Sequence, residues 1–498
     1  MIRMRLQSPA ARFLVAAGGA FGAIFVIVAT ARCGRAGPAS PVTTTLRMGV
    51  GGLPQQTQQA GLPALAGNLA LEGLVVPYED GRLRPWLAES WKTSADGLSV
   101  SISLRQNAKF HDGNAVTAPV VADALKQNLP KLLGPAFNNI REIVAKGDWQ
   151  LNIEFNKPSR FVIEALETAI QEPGRPDVGS GPYTSSSAKP SELLANQDYY
   201  LGRPNITRIE LIPYANVRAA WAELLRGNID MLYETTIEAL DSLQASSDVA
   251  VYSYVRHYQY MIVFGSRSAL FKSPDIRREL NAAINREALV KEVLNGHGVP
   301  STGPVQRSHW ALDPKAPQFG FDPQLAARLR SRHLKFTCLV PADSVYEPIA
   351  LAVKQQLAAA AVDMEVKEVP QEQVVHETAN GEFDALLVDP VSGPSLFRSY
   401  RHWYSKMTFK PHPLESERID AALLQIDRAT SDNEYRVAVT SFLQAMVDDP
   451  PAIFLAWGER ARAVSRKFDV VTEEKGRDIL INLRLWRPAG MQQAVSRN

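Results

Sequence analysis

The sequence predicts a mixed α/β chain of two lobes, and three observations carry that expectation. The first is length: 498 residues exceed what one hydrophobic core organises, so two or three domains are expected. The second is a pair of period-2 segments in the first third. Val100, Ile102 and Leu104 alternate with serines, and Trp149, Leu151, Ile153 and Phe155 alternate with Gln150, Asn152 and Glu154. Such alternation marks half-buried strands of an α+β unit. The third is a second half in which strands near 335–340, 383–388 and 452–457 alternate with helices at 344–360, 415–429 and 433–447, the order of an α/β lobe. No internal repeat emerges, which excludes solenoids and propellers.

From the N-terminus, residues 1–31 stand apart. MIRMRLQSPAAR carries three arginines and no acid, and FLVAAGGAFGAIFVIVATA adds an apolar run at 13–31. This is an export signal with Ala29-Thr30-Ala31 as its cleavage site, or a retained membrane anchor, since the run is long enough to span a bilayer. Either way the arginines stay cytoplasmic and the remaining chain is periplasmic or otherwise extracytoplasmic. Cys33 sits where a lipidated cysteine would, although Arg32 precedes it where a lipoprotein signal needs a small residue. Cys338 is the only other cysteine, so neither a disulfide framework nor a cysteine-based zinc site can form. Residues 32–45, which include GRAGPASPVTTT, read as a flexible spacer.

Hydrophobic residues make up 45% and charged residues 21% of the chain, which excludes wholesale disorder and a polytopic membrane protein. The formal charge is +2 and drops to about −1 without residues 1–31. No global field therefore favours nucleic acid, and the expected partner is a small molecule or peptide of low charge.

The stretch LRQNAKFHDGNAVTAPVVADALKQNL (104–129) is a strand, a turn and a helix. Asp112-Gly113 is a turn dipeptide, and Thr117 is placed to cap a helix with Pro119 in its first turn. Val121, Ala124, Leu125 and Leu129 form its buried stripe, and Pro130 is expected to end it. His111 reads as a hydrogen-bonded turn residue, not a base. In SPDIRRELNAAINREALVKEVLNG (273–296), Ser273 is the expected cap, Pro274 the first helical residue, and Asn285 the cap of a second helix ending at Gly296. NVRAAWAELLRGNID (216–230) carries a stripe of Trp221, Leu224 and Leu225 into a stop at Gly227.

Longer motifs occur in a fixed order: LRPWLAESWKTSADGLSVSISLRQNAKFHDGNAVTAPVVADAL, VGSGPY, NQDYYLGRPNITRIELIPY, LLRGNIDM, and SPDIRRELNAAINREALVKEVLNGHGVPSTGP. Over roughly residues 46–480 the chain resembles the family 5 extracellular solute-binding proteins, the peptide and nickel binding components of ABC importers. The resemblance implies a two-lobed, periplasmic-binding-protein type II-like fold with an extra α+β subdomain. Lobe one would hold 46–255, with the subdomain at about 76–175, lobe two 256–460, and residues 461–498 would return to lobe one. It implies a ligand between the lobes, hinge strands near 258–264 and 455–459, and permease and ATPase subunits as separate chains. A monomer is expected.

Catalytic fingerprints are absent: no H-E-x-x-H, Walker A, C-x-x-C or dinucleotide motif occurs. Gly179-Ser180-Gly181 lacks the nucleophile-elbow pattern, so no catalytic residue, metal or cofactor is assigned. The resemblance places this glycine loop beside the cleft, where small residues let a ligand approach the backbone. Tyr252, Tyr254, Tyr258 and Tyr260 recur at strand-like spacing, as a cleft wall or as core packing. Arg267 follows as a carboxylate partner or an exposed arginine, and Trp403 and Trp457 divide between cleft and core. Peptide-binding members of the family follow the strand matching FDALLV with an acid-rich segment whose aspartate receives the peptide ammonium. Here VDPVSGPSLFRSYRHW offers Asp389, in a shifted register. The expected function is capture of a small, peptide-like ligand for import. Two alternatives stand beside it: a sensor or scaffold without transport, and an exported hydrolase, which would need a histidine within reach of Ser180.

Overall fold

A computed structural model describes residues 44–52, 61–186, 188–342, 345–370, 373, 374, 376, 377, 383–407, 414–473 and 478–490. The chain divides into Met1–Val42 and Thr43–Asn498. The export-or-anchor stretch, Cys33 and most of the spacer lie outside the described residues. Among the described residues no helix is long and apolar enough to cross a membrane.

Two unusually long strands organise the second unit. Val249–Phe264 and Ala452–Ser465 run antiparallel through an 11-stranded mixed sheet, side by side at its middle. Their outer halves, Val249–Val255 against Glu459–Ser465, continue through Met231–Leu232, Thr45–Gly51, Arg208–Tyr214, Lys189–Ala195 and Tyr183–Ser186. Their inner halves, Gln259–Val263 against Ala452–Trp457, continue through Ala385–Val388, Lys335–Pro341 and Asp363–Val369. Each half-sheet has its own apolar core. Leu46, Met48, Leu211 and Trp486 pack in the first, and Phe264, Leu280, Phe336 and Leu455 in the second. The parallel pair Lys335–Pro341/Asp363–Val369 needs a helical crossover, which Tyr346–Ala359 supplies as expected, while Thr45–Gly51 pairs in parallel with Arg208–Tyr214 across a much longer connection.

A separate four-stranded antiparallel sheet, in the order Ala88–Thr93, Ser99–Leu104, Gln150–Phe155 and Ile140–Ala145, lies between chain positions 88 and 155. Val100, Ile102, Leu104, Leu151 and Ile153 are buried on one face beneath the helix Ala118–Leu133, as the alternation requires. That core is continuous with the helices Phe397–Trp403, Glu417–Arg428 and Asp432–Asp448. The small sheet is thereby bonded to elements that come much later in the chain.

Local expectations hold with four corrections. The helix expected to stop at Pro130 runs through it to Leu133, and Gly134 at φ 49° closes it by donating to the Pro130 carbonyl. Proline removes one donor but leaves its carbonyl free to close the final turn. Thr117 and Ser273 occupy N-cap positions without a side-chain cap bond, whereas Asn216 and Asn285 accept from Ala219 and Ala288 at 2.9 and 3.0 Å. The helix after Asn285 ends at Glu292, short of Gly296, because Asn295 and Gly296 both take positive φ. Leu225 is exposed, and Ala220 and Leu224 carry the buried face of Val217–Leu225.

Candidate ligand cleft

A cavity of about 2160 Å³ opens between the half-sheets, lined from the first by Trp221, Tyr233 and Glu234 and from the second by Tyr346, Asp389 and Val391. It exceeds the few hundred to ~1,000 Å³ of an ordinary small-molecule site, so it has room for a ligand of several residues.

A bulge in the first long strand shapes the floor. Val255 pairs with Glu459 and Gln259 with Trp457, so residues 256–258 face Gly458 alone. An inserted segment of this kind bends a strand and re-aims its side chains. The released backbone turns to the second half-sheet: Tyr258 bridges Val391, the Gln259 amide donates to the Pro390 carbonyl at 3.2 Å, and the Ser392 amide donates to the His257 carbonyl at 2.8 Å. His257 and Tyr258 thereby line the cavity. Gly458 opposite lets the Tyr260 ring come close, since a Cβ there would meet it at 3.0 Å and the ring would have to give way.

Arginines and acids pair across the floor. Arg460 Nη2 donates to the Tyr260 hydroxyl at 2.8 Å, and its Nε lies 3.0 Å from Glu234. Burial disfavours the Arg460 charge, but Tyr260, Glu234 and Asp389 more than offset this and hold its pKa above the ordinary range. Arg462 donates to both Asp478 oxygens and to the Tyr233 carbonyl, with the Tyr233 ring centroid 4.3 Å from the guanidinium. The Tyr346 hydroxyl donates to Asp389 Oδ1 at 2.5 Å, and its ring meets that of Tyr260 edge-on at 6.0 Å. At the cleft wall, Glu72 accepts from Trp86 Nε1 at 2.7 Å and from the hydroxyls of Tyr199, Tyr200 and Ser180 at 2.5, 3.1 and 3.4 Å. Burial pushes the Glu72 carboxyl up to about 7.

The structure brings Tyr254, Tyr258, Tyr260 and Asp389 together in the cavity wall. The other residues singled out in the sequence lie elsewhere. Gly179 and Gly181 press on the end of the helix Gly61–Ala70, where a Cβ would meet the Ala70 carbonyl at 2.5 and 2.6 Å. Ser180 is fully buried and bonded to Glu72. The following Pro182 and Tyr183, not the glycines, face the cavity. Trp403 packs in the core against Phe454 with ring centroids 5.8 Å apart, and Trp457 is 1% exposed. Arg267 borders a shallow depression with Thr337 and Asp384 on the second half-sheet. Sequence reading missed Tyr233, Glu234, His257, Tyr346, Arg460 and Arg462. The period-2 arginines of GERAR were the available signal for the last two; His257 lies in the strand that also carries the tyrosines, and Tyr233, Glu234 and Tyr346 come from a loop and a helix far apart in the chain. Among the described residues no group of three His, Cys, Asp or Glu side chains could hold a metal ion.

His111 anchors the glycine loop. Its amide donates to the Gly179 carbonyl at 2.8 Å, its Nε2 lies 3.1 Å from the Gly181 carbonyl, and burial lowers its pKa. The ring is therefore neutral at pH 7, with Nε2–H donating. His111→Ala is expected to lower stability by about 1 kcal/mol with little change in ligand affinity. A variant with an unchanged melting temperature and lost binding would contradict this.

The family model "Bacterial extracellular solute-binding proteins, family 5 Middle" matches residues 82–409. The oligopeptide-binding protein AppA of Bacillus subtilis is 23% identical over 458 residues, 80% of this chain and 82% of that one. The probable D,D-dipeptide-binding periplasmic protein DdpA of Escherichia coli is 24% identical over 409 residues, 74% of this chain and 78% of that one. Among solved structures, NikZ from Campylobacter jejuni in complex with Ni(L-His) superposes with a TM-score of 0.76 at 20% identity, over 89% of this chain and 99% of that one. AppA of Bacillus subtilis in complex with a nonapeptide gives 0.74 at 20% identity, over 90% and 99%. The mixed α/β fold is thus shared along nearly the whole of these proteins, and with the family model spanning about two thirds of the sequence, the chain belongs to the bacterial extracellular solute-binding proteins of family 5.

Proposed function

We propose that this protein is the extracytoplasmic receptor of an ABC importer, closing two lobes over a peptide or peptide-like solute and delivering it to a membrane permease. The observation that carries the reading is the cavity of about 2160 Å³ between half-sheets that share two continuous strands. Strands shared by two lobes make a hinge, and the bulge at 256–258 is a place for it to flex. By chain order residues 46–255 and 461–498 form one lobe and 256–460 the other, and the small sheet is a subdomain of the first whose core also packs against helices of the second. Residues 1–31 direct export or tether the protein to the membrane. Closure produces a surface that a permease distinguishes from the open form. The peptide class is supported by relatives that bind oligopeptides and dipeptides and by a cavity large enough for several residues. A non-enzymatic role is supported by Ser180, whose hydroxyl is bonded to a carboxylate, with no histidine bonded to it among the described residues.

The test is a thermal-shift panel on the purified full chain, with peptides, opines, sugars and metal–histidine complexes. A peptide at 100 times its Kd is expected to stabilise the protein by about 2.7 kcal/mol. Stabilisation by sugars alone would overturn the peptide assignment.

A further inference from the structure

We propose that the hairpin Val75–Pro77/Leu83–Pro85 is a strap over the cleft, fastened at its tip to the second lobe through Trp310 and Arg82, and that this fastener sets how long a bound solute is retained. The inference rests on the receptor reading above and adds to it residues outside the cavity that govern release.

The two strands of the hairpin pair antiparallel from Val75 opposite Pro85 to Pro77 opposite Leu83. Val75, Val76 and Pro77 line the cavity, and so does Trp86 just beyond the second strand. The base of the hairpin is tied to the first lobe. Arg84 Nη1 donates to Glu473 Oε2 at 2.7 Å, in the C-terminal segment, and Trp86 Nε1 donates to Glu72 at 2.7 Å. The tip, residues 78–82, closes on itself: the Tyr78 amide donates to the Arg82 carbonyl at 2.7 Å and the Gly81 amide to the Tyr78 carbonyl at 3.1 Å. Residues 78–82 are not among the described residues that line the cavity.

The tip lies instead on the second lobe. The Trp310 amide donates to the Asp80 carbonyl at 3.0 Å. Gly81, at φ 86°, comes so close that a Cβ would meet the His309 ring at 2.9 Å and the Pro394 carbonyl oxygen at 3.0 Å, so glycine serves both the backbone conformation and the approach. The Arg82 guanidinium lies 4.4 Å from the Trp310 ring centroid, and the Tyr435 ring stacks with that indole at 5.1 Å. Arg82 also stands 3.6 Å from Asp432, in the first turn of Asp432–Asp448. These contacts differ in weight. The Arg82–Asp432 pair is half exposed on both sides and contributes little. The backbone bond and the seat of Gly81 against the buried His309 contribute more, and the arginine over the half-buried indole adds a cation–π contact. His309, Trp310 and Asp432 belong to the second lobe and the hairpin to the first, so bending of the long strands that parts the lobes also parts the tip from Trp310. Release of a solute held beneath Val76 and Pro77 therefore waits for the fastener to open, whereas first encounter with the open form does not. Trp310 and Arg82 act through the hairpin and are positioning residues.

The experiment has two readouts on the full chain, with a mixture of tripeptides as the probe. The first is hydrogen exchange at the Trp310 amide, whose acceptor lies across the lobes. Saturation with the mixture is expected to slow it about tenfold or more. A contact with a purely structural role would not respond to a solute that it does not touch. The second is the rate of peptide release. Trp310→Ala is expected to speed dissociation about tenfold and Arg82→Ala about fivefold, with association changed less than about 3-fold in either. Trp310→Phe keeps an aromatic face under Arg82 and is expected to recover most of the loss. Arg82 has an exposed side chain, so Arg82→Ala decides the matter if Trp310→Ala does not fold. Lowered melting temperatures with unchanged dissociation would overturn the inference, and so would a Trp310 amide indifferent to the mixture. Binding of no tripeptide would overturn the peptide reading, and the fastener would then stand or fall on exchange alone. In Arg82→Ala the Trp310 amide should exchange about fivefold faster than in the unaltered protein while the amides of Ser99–Leu104 keep their rates; an unchanged rate would overturn the fastener as well.

Discussion

Replacing Asp427 with alanine is expected to loosen the small sheet from the helices behind it by about 3 kcal/mol. Asp427 is fully buried in Glu417–Arg428. Its oxygens accept from Ser159 Oγ at 2.6 Å, Phe161 N at 3.1 Å and Asn139 Nδ2 at 2.8 Å. All three donors belong to chain segments some 270–290 residues earlier. Removing the acceptor leaves an amide, a hydroxyl and a carboxamide desolvated and unpaired, each a separate penalty. Glu164 answers from the other side, accepting from the Tyr435 hydroxyl at 2.6 Å and the Phe397 amide at 2.8 Å. One carboxylate from each partner thus holds the junction, and the apolar contact between Phe161 and Tyr400, with centroids 5.0 Å apart, seals it. Hydrogen exchange is the right measurement, because a chain of this size need not unfold in one step. In Asp427→Ala, amides across 139–164 should exchange on the order of 100-fold faster while those of the large sheet change little. Uniform acceleration over the whole chain would show that Asp427 supports global stability and not this junction. Asp427→Asn keeps the volume and one acceptor oxygen but turns an amide group toward donors, so an intermediate effect is expected.

The contrast between this junction and the cleft explains what the sequence reveals and what it hides. Ser99–Leu104 and Gln150–Phe155 were legible because each has one wet face and one dry face, so burial imposes a period on the residues themselves. Asn285 was legible as a cap because its partner, Ala288, is three residues away. Ala452–Ser465 was read only in its first six residues, where AIFLAW is continuously apolar. Its remainder, GERARAVS, reads as polar, yet Arg462 is 4% exposed because Asp478 and the Tyr233 ring enclose it. Asp389 was legible through its place after a strand. Glu234 was not, because its importance comes from Arg460, 226 positions later. Local patterns report local burial, whereas a cleft is assembled from partners that no window of sequence contains.

Stability is expected to fall as pH rises above about 6. Above that point three buried carboxylates dominate. Burial raises Glu72 and Glu164 from 4.5 to about 7, and Asp427 from 3.8 to about 6. Each folded-state pKa lies above its unfolded value, so the folded protein holds the extra protons. The stability they contribute is fully present below the ordinary carboxylate range and is lost as pH rises through about 6 to 7. Two buried histidines act in the opposite sense. Burial lowers His309 and His402 from 6.5 to about 4. His309 Nδ1 accepts from the Ala311 amide at 3.2 Å, with the ring stacked near Trp310 and Tyr435. His402 Nε2 lies 2.9 Å from the Val391 carbonyl. Their stability is present above 6.5 and is lost as pH falls through about 4, because unfolding lets them take up protons. Below pH 6.5 the two sets oppose each other, and above it the carboxylates act without that opposition. The melting temperature should therefore decline from pH 6 to pH 8. Glu72→Gln and Glu164→Gln should each flatten that decline, whatever their own melting temperatures. A melting temperature that climbs steadily from pH 6 to 8 would mean that these carboxylates stay ionised in the folded protein, held by their donors against burial. The Glu72 cluster would then be a fixed negative charge at the cleft wall.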